Sequence, residues 1–569
     1  MKLTIGVTGH RDLVNSELPA LREQVRAFFV DLDEHYPGLS LQLISPLAEG
    51  SDQLVAEVAR DLGIPLIVPL PMEQSEYEKD FSTGESLRNF RRLLEGAKII
   101  PLPLVQGSTH EAMQSQGAAR DWQYAQLGVF VSNHCQVLLA LWNGKPDTQI
   151  GGTAGVVNYH LTAIMPGYSV AEESPNLLAD NENDLAYHIV VSRDRPDGDP
   201  AAGMQALHAN WMSAHFERWP PDRIPGEYND MLLRLQDFNA DFRKYKADIA
   251  RAPGSLLDDA PELEKPDGLN MVHTLFKQAD WLAIHFQKRV NEGMVVTHSL
   301  AVVMGLVFIL YAEYEGEWTQ VLLYLFLLLF GTGVVFHIIG GRRAWHRKYL
   351  DYRALAEGLR VQFYWNLAGV VETQSAVFAY DNFLQKQDVD LGWIRHVMRS
   401  ASLWRERTQP PDTAWVKWVC AQWVGSLESG GGQLSYYERK GRLKAENYRR
   451  TTRLGNVSLW TGILIAIMLA LAAGWITVEQ RHILLIFMGV LPLIAGVRDA
   501  YSHKKAEREL IKQYRFMSKV FANARRLLVS SKDIAFRRRV LKAVGDAALE
   551  EHAEWILMHR ERPLEHGGL

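Results

Sequence analysis

Three short glycine-bearing segments in the first 160 residues carry residue types suited to binding a phosphate ester. They are Thr8-Gly9-His10-Arg11-Asp12, Ser45-Pro46-Leu47-Ala48-Glu49-Gly50-Ser51-Asp52, and Gly151-Gly152-Thr153-Ala154-Gly155, the last a little beyond Asn143. Glycine lets backbone approach an anion, and the free N–H groups at a helix start favour negative charge. The expected ligand-binding set is Thr8, Gly9, His10, Arg11, Glu49, Gly50, Ser51, Asp52, Asn143, Gly151, Gly152, Thr153, Ala154 and Gly155. Competing structural roles exist: Asp52 as a helix N-cap, Arg11 as half of a surface ion pair. Glu76, Tyr77 and Lys79, after the third strand, either line the same pocket or, the preferred reading, form a solvated loop. The glycine spacing is neither a Walker A loop nor the dinucleotide fingerprint. No Ser-His-Asp or metal-ligand spacing is present, so the expectation includes no catalytic residue, no metal and no resident cofactor.

These loops need a scaffold, and the flanking residues describe one. Residues 3–7, 41–44, 65–70 and 135–142 read as apolar strands, and residues 16–35 and 53–62 as helices. Strands alternating with helices predict a parallel sheet with Rossmann-like winding. Each glycine loop then falls at the C-terminal end of a strand and opens a helix, so the three should meet in one crevice.

The second half of the 569-residue chain has a different grammar. Apolar runs occupy about 293–311, 321–339, 457–475 and 482–497. The first three match the length of a bilayer-spanning helix; the fourth is shorter, and Pro492 is expected to kink it. Lys288, Arg289, Arg342, Arg343, Arg347 and Lys348 flank the first pair, while AEYEGEWTQ between its members has no Lys or Arg. The second pair repeats this, with Arg442, Lys444, Arg449, Arg450 and Arg453 before it, Arg498, Lys504 and Lys505 after it, and only Arg481 between. By the positive-inside rule both hairpin tips face out, and both termini and all long segments are expected in the cytoplasm. His298 and His337 fall near the cytoplasmic interface, where a snorkelling imidazole is the ordinary reading. An apolar stripe after the first hairpin (Leu355, Leu359, Phe363, Leu367) predicts helix packing.

The predicted architecture is an α/β Rossmann-like N-terminal domain plus an all-α membrane region with two transmembrane hairpins and long cytosolic helices. Its segments are an α/β domain over 1–240, a linker over 241–275 whose Pro/Gly-rich acidic part is 251–268, a first hairpin with its arm over 276–410, and a second over 411–569, with a break at Glu428-Ser-Gly-Gly-Gly432. The hairpin flanks resemble one another: Phe286 and Gly293 sit ahead of the first as Tyr448 and Gly455 sit ahead of the third run, and Tyr352-Arg353 matches Tyr514-Arg515. Duplication explains this; so does the general similarity of basic helix necks. The net charge of −5 argues against a nucleic-acid partner. Two cysteines, Cys135 and Cys420, fit a reducing cytosol. The first residues lack a signal-peptide apolar core.

At the three loops the sequence resembles the SLOG superfamily, the Rossmann-like group that includes Lonely-guy nucleotide hydrolases and DprA-type DNA-processing proteins. Ser45-Pro-Leu-Ala-Glu-Gly-Ser-Asp52 is similar to the DprA pattern, and Gly151–Gly155 to the Lonely-guy phosphate loop. The membrane region resembles SLATT two-helix effector modules, through Tyr352-Arg-Ala-Leu-Ala-Glu-Gly-Leu-Arg360. The resemblance implies a defence effector of the bacterial inner membrane. It would sense a nucleotide or ADP-ribose-like second messenger and permeabilise the bilayer. Gly9 and Gly151–Gly155 would cradle phosphates, Arg11 would pair a phosphate or diphosphate bidentately, and Glu49 and Asp52 would accept from ribose hydroxyls or base amines. Four spans make a narrow bundle filled by its own side chains, so a homo-oligomer is expected. Lonely-guy hydrolases carry a glutamate pair shortly after the glycine loop; Val157-Asn158 stands here, which ranks sensing above hydrolysis. A membrane-tethered hydrolase and a non-enzymatic scaffold remain the alternatives.

Overall fold

Central strands of a sheet covered on both faces must be apolar throughout, and four segments here meet that condition. In the computed structural model, β1 (Lys2–Gly9), β3 (Leu66–Leu70), β5 (Val137–Trp142) and β6 (Leu185–Val190) are buried nearly end to end. With β2 (Ser40–Ile44), β4 (Lys98–Pro101), β7 (Ala209–Met212) and β8 (Arg218–Trp219) they form one eight-stranded sheet in the order β4-β3-β2-β1-β5-β6-β7-β8. β4 to β6 pair in parallel; β7 and β8 join antiparallel at the edge. The chain winds outward from β1 to β4, then returns to the other side of β1 with β5. A crevice opens where the winding reverses, at the C-terminal ends of β1 and β5. The structure describes residues 1–105, 107–147, 149–168, 184–257, 260–266, 268–314, 316–370, 383–384, 389–403, 412–426, 431–472 and 474–560. Glu315, in the first hairpin tip, and Glu428 to Gly430, in the second break, lie outside them.

Every strand and helix predicted for the first 160 residues is present, with shifted ends. Helices α1 (Leu18–His35), α2 (Ser51–Asp61), α3 (Gln74–Tyr77), α4 (Gly84–Leu94), α5 (Ala118–His134), α6 (Thr153–Thr162) and α7 (Gly226–Arg251) accompany the sheet. α7 continues to Arg251 and the next helix begins at Leu269, so the connection falls on the Pro/Gly-rich acidic stretch 251–268, inside the wider 241–275 assigned to the linker.

The remaining described residues are mostly helical: α8 (Leu269–Glu313), α9 (Thr319–Arg343), α10 (Trp345–Ala368), α11 (Gly392–Ala401), α12 (Thr413–Val419), α13 (Gly432–Leu471), α14 (Val478–Lys504), α15 (Glu507–Ser530) and α16 (Ile534–Arg560). Four of these elements, those of α8, α9, α13 and α14, are long and apolar enough to cross a membrane, and at most 11% of each apolar window is buried. That is compatible with a multi-pass membrane protein. The fourth helix runs for 27 residues with Pro492 inside it; the proline ring packs against Gly462 of α13, the nearest carbon 2.9 Å from where a Cβ would stand. His298 bonds its own helix through the Met294 carbonyl (2.8 Å) and packs edge-on to Tyr501.

Two compact units emerge. One comprises Met1–Asp258, Glu262–Phe276 and Gly358–Pro411; the other comprises the hairpins and the C-terminal helices. The α/β unit therefore includes α11, supplied by chain that follows the first hairpin. A buried charge cluster fastens it. Arg399 donates to both oxygens of Asp184 at 3.2 Å, His396 lies 3.2 Å from Asp184, and the Gln136 side-chain amide donates to the Ser400 hydroxyl at 3.0 Å. Burial opposes ionisation of Asp184, but Arg399 and His396 outweigh it and hold the carboxyl well below the usual range. Trp393 of α11 packs on Phe238 of α7. The stripe Leu355, Leu359, Phe363 and Leu367 is fully buried, as predicted.

Candidate functional site

The crevice is built by loops that lock onto one another. After β1, His10 reaches the loop after β5: its Nε2 accepts from the Asn143 backbone N–H (3.2 Å) and lies 3.0 Å from the Asn143 side-chain oxygen. Burial, reinforced by Arg193, lowers the His10 pKa to about 4, so the ring is neutral and able to accept that bond. Ser51, opening α2, donates from both its N–H (3.1 Å) and its hydroxyl (2.7 Å) to the His10 carbonyl. Asp12 accepts from Arg193 at 2.8 Å, tying in the loop after β6.

The glycines explain how loops can come so close. A Cβ on Gly9 would stand 2.4 Å from that of Ser51; one on Gly50 would stand 2.3 Å from the Arg11 carbonyl oxygen. Gly50 also has φ +81, a conformation that L side chains rarely adopt. Gly151, φ +75, lies with its Cβ position 2.6 Å from the Ala125 backbone nitrogen of α5. Leu47, buried in the second loop, holds φ 58 without being glycine, helped by a bond from its N–H to the Ser45 hydroxyl (3.1 Å). Such outliers concentrate where structure over-determines a loop.

This geometry sorts the expected ligand residues. His10, Ser51 and Asn143 are buried and join loop to loop, while Gly9 and Gly50 permit the approach. Glu49 is occupied elsewhere, accepting from the Ser82 hydroxyl (2.7 Å) and N–H (3.2 Å). Thr8 is buried in β1. Asp52 is buried as well, so what remains outside the core to meet a ligand is Arg11 and the start of α6. No side chain caps α6, whose N-cap is Gly152 and whose first turn, with Thr153, Ala154 and Gly155, contains no acidic residue. The N-terminal N–H groups of this 10-residue helix thus lack a side-chain acceptor, although a carboxylate oxygen of Asp147, itself accepting from the Gln149 N–H, lies 3.6 Å from where a Cβ on Gly152 would stand.

Arg11 is exposed, its guanidinium 5.4 Å from the centre of the Tyr124 ring. No carboxylate lies within ion-pair distance of it among the described residues, which removes the surface ion pair as its role. Tyr124 is itself fixed: its hydroxyl donates to Asp80, which also accepts from Arg120 at 2.5 Å and from Gln116 at 3.0 Å. Arg120 is almost fully buried and further bonded to the Met113 and Glu76 carbonyls. Tyr77 is fully buried, donates to the Pro46 carbonyl (3.2 Å) and so is no solvated-loop residue, a correction to the sequence reading. Its neighbours Glu76 and Lys79 do pair with each other at the surface (2.7 Å). Asp52 is buried in the first turn of α2, whose N-cap is Gly50, not Asp52. Burial pushes its carboxyl up to about 7, against the Ala48 N–H and the Arg11 charge, which favour ionisation.

The residues missed from sequence are Asp80, Arg120 and Tyr124. Arg120 and Tyr124 stand one turn apart on α5, a faint signal that only the fold makes meaningful, since α5 must first lie beside β1 and the α6 loop. Among the described residues no group of three or more His, Cys, Asp and Glu side chains could hold a metal ion. No family model, curated protein or solved structure matches this chain.

Proposed function

We propose that this protein is a membrane effector whose α/β unit, Rossmann-like and of the SLOG type, senses a nucleotide or ADP-ribose-derived second messenger, and whose SLATT-like hairpins then permeabilise the bacterial inner membrane, in anti-phage defence. The observation that carries the ligand reading is Arg11: an exposed guanidinium without a carboxylate partner, propped on a fixed Tyr124 at the reversal of the sheet. A diphosphate fits the chemistry, with one phosphate on Arg11 and the other on the uncapped start of α6. The membrane reading is supported by the four apolar helices and by their ends. Arg342 and Arg343 close α9 and Arg498 lies late in α14, whereas Trp318 and Trp475, both exposed, mark the hairpin tips. Both termini are then cytoplasmic. Signal and bilayer couple only if ligand binds an active arrangement more tightly than a resting one.

The test is a ligand titration of the full chain in detergent, read by thermal shift, with ADP-ribose and mononucleotides as probes. Residues 1–240 alone are a poor substitute, because α11 and its Arg399–Asp184 pair would be lost. Ligand at 100 Kd should add about 2.7 kcal/mol of apparent stability. Arg11→Ala and Gly152→Asp should each remove the shift without lowering the unliganded midpoint. A shift that survives both variants would move the anion site elsewhere. One observation favours a second reading, nucleotide hydrolysis: a buried Asp52 carboxyl titrating near 7 is suited to general acid–base work. Turnover of the same probes, lost in Asp52→Asn, would put that reading first.

A further inference from the structure

The two hairpins repeat at one fixed spacing. Phe286 and Tyr448, Gly293 and Gly455, Ala344 and Ala506, Tyr352 and Tyr514, and Arg353 and Arg515 are each 162 positions apart. The strongest match is conformational. Ala344 (φ 46) breaks α9 from α10 and Ala506 (φ 47) breaks α14 from α15; both are left-handed without being glycine, and a 24-residue helix follows each. Unrelated basic helix necks have no reason to share a strained alanine in the same register, so duplication accounts for the pair.

The repeats are assembled head to tail. Within the first hairpin α9 packs on α8, with Gly333 against Leu300 and Phe326 against Phe308. Within the second, α13 packs on α14 through Gly462 and Pro492. The hairpins join through α8 and α14, antiparallel along their length: His298 meets Tyr501, Gly305 receives Leu493 (Cβ position to Cδ2, 2.4 Å), Gly489 receives Ile309 (2.9 Å), and Glu313 meets His482 (3.3 Å). The row is therefore α9-α8-α14-α13. A first helix of one repeat meets the second helix of the other, and this junction is heterologous. Its two halves recur unused at the ends of the row. On α13, the equivalents of His298, Gly305 and Ile309 are Trp460, Ile467 and Leu471, exposed by 68%, 50% and 83%. On α9, the equivalents of Gly489, Leu493 and Tyr501 are Leu327, Gly331 and Ile339; all are exposed, and a Cβ on Gly331 would meet nothing.

We propose that α13 of one chain docks on α9 of a second copy, repeating the internal α8–α14 junction between subunits. Bulk is exchanged at one level of this contact: Gly305 faces Leu493 inside the chain, and Ile467 would face Gly331 between chains. At the next level Leu471 meets Leu327. The alternation of helix direction continues across the new junction, so further copies add in the same way and a closed ring of them encloses a path that one row of four helices cannot. The proposal rests on reading these helices as membrane spans.

Cross-linking of the full chain in native membranes tests it. Gly331→Cys combined with Ile467→Cys should give, on oxidation, a ladder of covalent dimers, trimers and higher species, and neither single variant should. An Ile467→Cys single variant that dimerises would show a two-fold contact, and a double variant that cross-links only within the monomer would show a folded-back bundle; either overturns the proposal, as does a monomer in carbonate-resistant membranes. Chain extracted by carbonate would instead sink the membrane reading. A second pair of variants avoids disulfide geometry. Gly331→Leu, which meets open space in the single chain, should abolish the oligomer, and Ile467→Gly added to it should restore the oligomer; an oligomer indifferent to Gly331→Leu refutes the contact.

Discussion

Glycine does different work in the two units, and the contrast shows where each is rigid. In the crevice, Gly50 and Gly151 are pressed against main-chain atoms and hold positive φ, so nothing there can yield. In the apolar helices, Gly305, Gly462 and Gly489 sit against side-chain ends of Leu493, Pro492 and Ile309, and Gly331, Gly340 and Gly341 meet nothing. A sheet crevice is fixed by backbone closing on backbone. An apolar bundle is fixed by interdigitated side chains, of which those of Leu493 and Ile309, though not the Pro492 ring, can shift by a rotamer.

Four substitutions sharpen this contrast. Gly50→Ala combines an unfavourable φ with a backbone clash and should cost roughly 3 kcal/mol or more, seen as a lowered denaturation midpoint of the α/β unit. An unchanged midpoint would mean that the loop is softer than its geometry. Asp52→Asn tests the other cost of a closed crevice. The folded carboxyl titrates near 7, above the ordinary value of 3.8, so its protonated form favours folding. That contribution is present below pH 4 and is lost as pH rises through 7. The amide variant should therefore be more stable than the parent at pH 8, by up to roughly 4 kcal/mol, and indistinguishable from it near pH 4. Equal midpoints at both pH values would show Asp52 to be solvated. Gly305→Ala places a methyl against the flexible end of Leu493 and should cost about 1 kcal/mol, measured by denaturation in detergent; a loss as large as that of Gly50→Ala would break the contrast. Gly340→Ala, in open space within α9, should be neutral or stabilising by up to about 1 kcal/mol, and a clear loss would reveal a partner packed on that face.

The first half of the sheet and the four apolar helices were legible because their signals are local. Continuous apolar strands such as 137–142 follow from burial on both faces, and runs such as 321–339 exceed what a soluble helix needs to bury. β4 and β6 to β8 went unread: Lys98–Pro101 is a short, largely exposed edge strand, and β7 and β8 pair antiparallel without a hairpin signature. Tyr77 was misread because a polar neighbourhood, Glu76 to Asp80, hides one inward-facing aromatic.

Sequence alone determined which residue types reach the crevice and which segments are apolar enough to span a bilayer. Tertiary structure decided their roles. His10, Ser51 and Asn143 became loop-to-loop ties, and Arg11 was left without a carboxylate by α5, whose Tyr124 and Arg120 absorb Asp80 instead. It also brought α11 back onto the sheet through Asp184, residues more than 200 positions apart. The reason is one of range: hydropathy and glycine spacing act within a turn or a strand, whereas the choice of partner for a charge depends on every chain segment that packs beside it.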